Sequence, residues 1–114
     1  MMAAPALYEI VRQHAEMAAF LWSLYDYNLL HPGENPEMDE ERMSRVVDRL
    51  EAHLDGLRVA GKDGLKIAVE MYVQFPERGE LFVVRMLNYA SDTRIKELNL
   101  DKVRSYLDRH VQDA

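Results

Sequence analysis

Between Leu7 and Asn28, apolar residues recur at the period of an α-helix, and this constrains the chain more than any other feature. At about 100° per residue, Leu7, Ile10, Val11, His14, Met17, Ala18, Leu21, Leu24, Tyr25 and Asn28 share one broad face. Glu9, Arg12 and Glu16 take the opposite side. Pro5 suits a first helical turn, where a missing N–H is tolerated. The spacing predicts one helix from Pro5 to Leu30, roughly 39 Å long at about 1.5 Å per residue. So wide a stripe needs more than one neighbour.

The rest of the chain supplies them. His31 to Met38 holds two prolines and a glycine and must be a loop. Asp39 is placed to cap a second helix, with Glu40 and Glu41 at the positive end of its dipole. Met43, Val46, Val47, Leu50, Leu54 and Leu57 form its apolar side, and Gly61 marks its end. From Asp63 to Phe75, the alternation of Ile67, Val69, Met71, Val73 and Phe75 would suit a half-buried strand. No second strand of matching pattern exists to pair with it, so the segment reads as a helix with Lys66, Glu70 and Gln74 in its polar sector. A fourth helix is expected from Glu80 to Ala90, followed by a cap at Ser91 or Asp92. Ile95 and Leu98 lie about 120–150° from Leu100, Val103, Leu107 and Val111 on a helical wheel. That offset predicts a short helix ending near Leu98 and a last one from Leu100 to Gln112 capped by Asn99. The expected architecture is all-α: a single domain over residues 1–114, an antiparallel bundle of about five to six helices joined by short connections.

Composition narrows the function. The 20 acidic residues outnumber the 14 basic ones, giving a net charge of −6. Nucleic-acid binding rests on neutralising phosphates with Lys and Arg, so this balance argues against it. The chain has no cysteine, which removes disulfides and thiolate chemistry and fits a cytoplasmic location. Met1 to Leu7 lacks the pattern of a signal peptide, and the apolar runs are broken by Glu16, Asp26, Glu70 and Arg85, so no membrane span is expected.

Little suggests catalysis. Ser23, Ser44, Ser105 and Thr93 lie in no nucleophile elbow, and the glycines form no phosphate-cradling loop. No cofactor is expected. His14 in the first stripe and His53 at the edge of the second meet if those helices pair. They form either a metal or acid–base pair assisted by Glu51 or Asp55, or two core histidines satisfied by hydrogen bonds. The core reading is preferred, because the i, i+4 ligand spacing of a helical zinc site is missing. His31 and His110 read as surface residues.

Phe20, Trp22, Tyr25 and Tyr27 point in different directions around one helix, so a single core cannot bury them all. They are either covered by the C-terminal helices or exposed as anchors for a protein partner. Self-association is the simplest use of surplus apolar surface, and an acidic rim would suit a basic partner.

Two stretches carry a resemblance. His14-Ala-Glu-Met-Ala-Ala-Phe-Leu-Trp22, together with Arg49-Leu-Glu-Ala-His-Leu-Asp-Gly-Leu-Arg58 followed by Ala60-Gly61, resembles the N-terminal region of a family of uncharacterised bacterial proteins with HEAT-like helical repeats. Members are often encoded among type VI secretion genes. The resemblance spans Leu7 to Tyr89. It implies HEAT-like paired helices and a non-enzymatic role beside a secretion component or its toxin cargo, as accessory, adaptor or immunity protein, and it brings no catalytic residues. Longer relatives continue into many repeats, so this chain is either the N-terminal domain of a repeat protein or a short relative.

Overall fold

The first stripe folds as one helix, α1 (Pro5–Leu30). In the computed structural model, which describes residues 5–88 and 93–111, α1 is the helix on which the others assemble. It buries Val11, Ala15, Ala18, Ala19, Leu21 and Trp22. The three alanines let neighbouring backbones come close, and α1 accordingly packs against α2, α3 and α4.

After the proline-rich loop, the Asp39 side chain accepts a hydrogen bond from the Arg42 backbone N–H at 2.9 Å and starts α2 (Glu40–Val59). The cap satisfies one of the donors a helix start leaves free. Val46, Val47, Leu50, Leu54 and Leu57 are buried, as their spacing requires. Gly61 turns the chain at φ +62°, a region that side-chain-bearing residues avoid.

The ambiguous stretch is helical: α3 spans Lys62–Gln74. Its alternation resolves into two i, i+4 pairs. Ile67 and Met71 face the core, whereas Val69 and Val73 are 40% and 75% exposed. Lys66, Glu70 and Gln74 are exposed, as expected. Pro76 ends the segment, and α4 (Arg78–Asn88) begins two residues earlier than its apolar pattern suggests, because the Glu77 carbonyl accepts the Leu81 N–H at 3.0 Å. The expected continuation to Ala90 and the cap at Ser91 or Asp92 lie outside the described residues.

Ile95–Glu97 is a single 3₁₀ turn that buries Ile95. Asn99 then caps α5 (Leu100–Val111), its side chain accepting the Lys102 N–H at 3.2 Å, and α5 buries Val103 and Leu107. The expected end at Gln112 is likewise outside the described residues. The result is an all-α bundle of 47 × 31 × 24 Å with no strand among the described residues.

Candidate interaction surfaces and the histidine pair

Packing α1 on α2 brings His14 and His53 together. Their Nδ1 atoms are 3.0 Å apart and the half-buried rings meet at a 55° tilt. Gly56, one turn beyond His53, makes room for the contact, since a Cβ there would sit 2.7 Å from His14 Cδ2 and Nε2. At this separation one Nδ1 donates and the other accepts, so the pair holds a single proton between its rings. Burial, the neighbouring His14 and the Arg49 charge push the His53 imidazole below its ordinary value.

The expected helpers are elsewhere. Residues two apart on a helix diverge by about 200°, so Glu51 and Asp55 face away from His53. Glu51 accepts the Ile95 N–H at 2.9 Å and pairs with Arg94 at 2.7 Å. Asp55 pairs with Arg94 at 3.2 Å and with Arg58 at 2.8 Å. Burial acts to raise the Asp55 carboxyl, but hydrogen bonds from Arg58 and Arg94 outweigh it and hold the group below its ordinary value. These carboxylates tie the 3₁₀ turn to α2. The acid–base arrangement of histidines with Glu51 or Asp55 is therefore not assembled, and no cluster of three metal-ligating side chains occurs among the described residues.

The four aromatic candidates separate. Trp22 is 1% exposed and stacks on Phe82 of α4 with ring centroids 3.9 Å apart, so it is a core residue and not a surface anchor. The second layer covers it because α4 is apolar where it meets α1. Tyr25 is half-buried beside it. Tyr27 is exposed, but its hydroxyl donates to Glu34 and its ring stacks on His31, so it fastens the loop after α1. Phe20 alone of the four stands clear, at 59% exposure. His31 and His110 are exposed, as expected, each stacked on a tyrosine.

Sequence reasoning missed three features. Asp26, noted only as a break in an apolar run, is buried and accepts from Arg104 Nε at 2.7 Å, with Arg78 Nη2 at 3.5 Å. Arg78 also pairs with Asp108 at 2.9 Å, so one carboxylate links α1 to both α4 and α5. Leu7, Ile10 and Val59 are 50%, 50% and 88% exposed around a groove of about 400 Å³ that His14 also lines. A second groove, of about 500 Å³, lies between α1 and the α3–α4 connection, with Phe20 and Phe75 on it. The partial signal for the first was the stripe itself, which runs on toward Leu7 past the last residue that can be covered.

No helix among the described residues is long and apolar enough to cross a membrane. Comparison with protein-family models, curated proteins and solved structures finds no match for this chain.

Proposed function

We propose that this chain is a non-enzymatic protein-interaction module of the cytoplasm, an accessory, adaptor or immunity component of a bacterial type VI secretion system built from HEAT-like paired helices. The observation that carries the reading is the groove where Leu7, Ile10 and Val59 stand open at the α1–α2–α3 edge. Contiguous apolar side chains beside an open groove mark an interface. Supporting it, the chemistry-bearing residues of the two family-like stretches spend their bonding capacity inside the fold: His14 on His53, Glu51 and Asp55 on Arg94. Such a motif reads as a packing signature. The secretion setting rests on the resemblance of those two stretches alone.

Sedimentation over a range of concentrations, alongside capture of partners from the native host, tests the reading. The triple change Leu7→Ser, Ile10→Ser and Val59→Ser is expected to abolish association while leaving the helical spectrum intact. A chain that stays monomeric at high concentration and retains no partner would remove the proposal.

A second reading, a small-ligand or metal site, is favoured by one observation: two imidazole Nδ1 atoms 3.0 Å apart beside an apolar groove, which would bind a metal only on loss of the proton they share. Zinc titration followed by calorimetry discriminates. Binding that disappears in both His14→Ala and His53→Ala supports it, and loss of stability with no metal binding in the unmodified chain refutes it.

A further inference from the structure

Arg12, Glu16, Ala19, Phe20 and Ser23 follow the i, i+4, i+7, i+8, i+11 spacing of one helix face, away from the histidine pair. The connection from α3 to α4 runs beside this face and completes the groove of about 500 Å³. Its apolar part comes from Ala19, Met71 and two rings, Phe20 and Phe75, which are 59% and 45% exposed. Its polar part is acidic. Glu16, Glu77 and Glu80 line it against a single cation, Arg12. That guanidinium is already engaged, with Glu16 at 3.1 Å and Gln74 at 3.3 Å. Glu77 and Glu80 have no cationic partner among the described residues. Burial and the Glu77 charge push the Glu80 carboxyl upward, the behaviour of an acid that lacks a counter-ion.

We propose that this groove docks an arginine-bearing segment of a partner protein, its guanidinium lying against the Phe20 and Phe75 rings and pairing with Glu77 and Glu80. The proposal rests on the interaction-module reading above and names the partner's chemistry. A guanidinium is planar, weakly hydrated, stacks on aromatic faces and forks onto carboxylates, so it satisfies both halves of the groove at once. A lysine ammonium, compact and strongly hydrated, pairs with the acids but wins little from the rings. A purely apolar segment would desolvate two carboxylates without compensation, and an anionic one is repelled.

The full chain is titrated with a fluorescent peptide of alternating arginine and leucine, with a lysine–leucine twin as comparison. The arginine peptide is expected to bind at one site, about tenfold more tightly than the lysine twin. Glu77→Gln with Glu80→Gln should weaken it about tenfold, and so should Phe20→Ser with Phe75→Ser. Glu40→Gln with Glu41→Gln removes the same charge at the start of α2 and should change affinity by less than about twofold. Equal binding of the two peptides, or equal weakening by the two pairs of glutamate changes, overturns the proposal in favour of net charge alone. Loss of self-association in the Phe20/Phe75 variant, with no peptide binding to the unmodified chain, assigns the groove to a second copy and also overturns it. If host partners are lost with the Leu7/Ile10/Val59 variant but kept by the Phe20/Phe75 variant, the groove proposal falls while the module reading stands. If the unmodified chain neither associates nor retains a partner, the module reading falls as well.

Discussion

The two halves of α1 carry the same apolar stripe and meet different fates. Toward its C-terminus the helix is enclosed: Trp22 stacks on Phe82, Asp26 is held by Arg104 and Arg78, and Gly79 of α4 presses on the Ala19 carbonyl. Toward its N-terminus, Leu7 and Ile10 are half-exposed, and among the described residues the polar contact with α2 is the histidine pair. The closed half meets α4 and, through Asp26 and Arg104, α5 in addition to α2, whereas the open half meets α2 and α3. The lesson is that a stripe reports capacity for burial, while the number of neighbouring helices decides how much of that capacity is used.

This contrast can be broken by mutation, starting where the effect is largest. Trp22→Ala should lower unfolding free energy by about 4 kcal/mol, as expected for a large buried ring. Ile10→Ser in the open half should change it by less than about 0.5 kcal/mol. Urea unfolding of both variants checks this, and similar losses would mean that the halves are equally packed.

Next in size is Asp26→Asn, which leaves the partly buried Arg104 only the exposed Asp101 carboxylate at 3.5 Å and should cost about 3 kcal/mol in the same measurement. A neutral outcome would show that water already screens the pair.

The glycines sharpen the comparison. A Cβ at Gly79 meets the Ala19 backbone oxygen and Ser23 Oγ at 2.6 Å, and the backbone oxygen cannot move aside. Gly79→Ala should therefore cost about 2 kcal/mol of overpacking. At Gly56 the obstacle is the His14 ring, a side chain free to rotate. Gly56→Ala recovers about 1 kcal/mol of helix propensity and should come out near neutral while breaking the His14–His53 contact. Melting temperatures rank the two, and an NMR titration of the imidazole protons shows whether His53 returns toward its ordinary value.

The smallest expected effect is on pH dependence. His53 titrates at an ordinary value of 6.5 when unfolded and below it when folded. The unfolded chain thus takes up protons that the folded one refuses, so stability is complete above the ordinary value and falls as pH drops through it. Melting temperature should decline as pH is lowered from about 7 through the ordinary imidazole value, and His53→Gln should flatten that decline. An unchanged slope in the variant would place the proton uptake on other groups.

Much of the fold was legible because helical signals are local. The α1 stripe, the Asp39 and Asn99 caps and the break between Leu98 and Leu100 all follow from neighbours in sequence. Segment Ile67 to Phe75 was harder. Valines at positions 69 and 73 mimic strand alternation, and only the placement of α1, α2 and α4 against α3 leaves them outside. The surfaces were least legible. Whether Trp22 or Phe20 is exposed depends on where Phe82 arrives, 60 residues later in the sequence. Asp26 looked like an interruption because its partner, Arg104, is 78 residues away.

That separation has a consequence during synthesis. At roughly 5–20 residues per second, a ribosome releases Asp26 several seconds before Arg104 emerges. Until then the nascent bundle carries a carboxylate in apolar company, answered first by Arg78 and only later by α5. Helix α5 thus acts as the clasp of the fold, and a message truncated before Arg104 yields a product whose best-packed half is the one left unfinished.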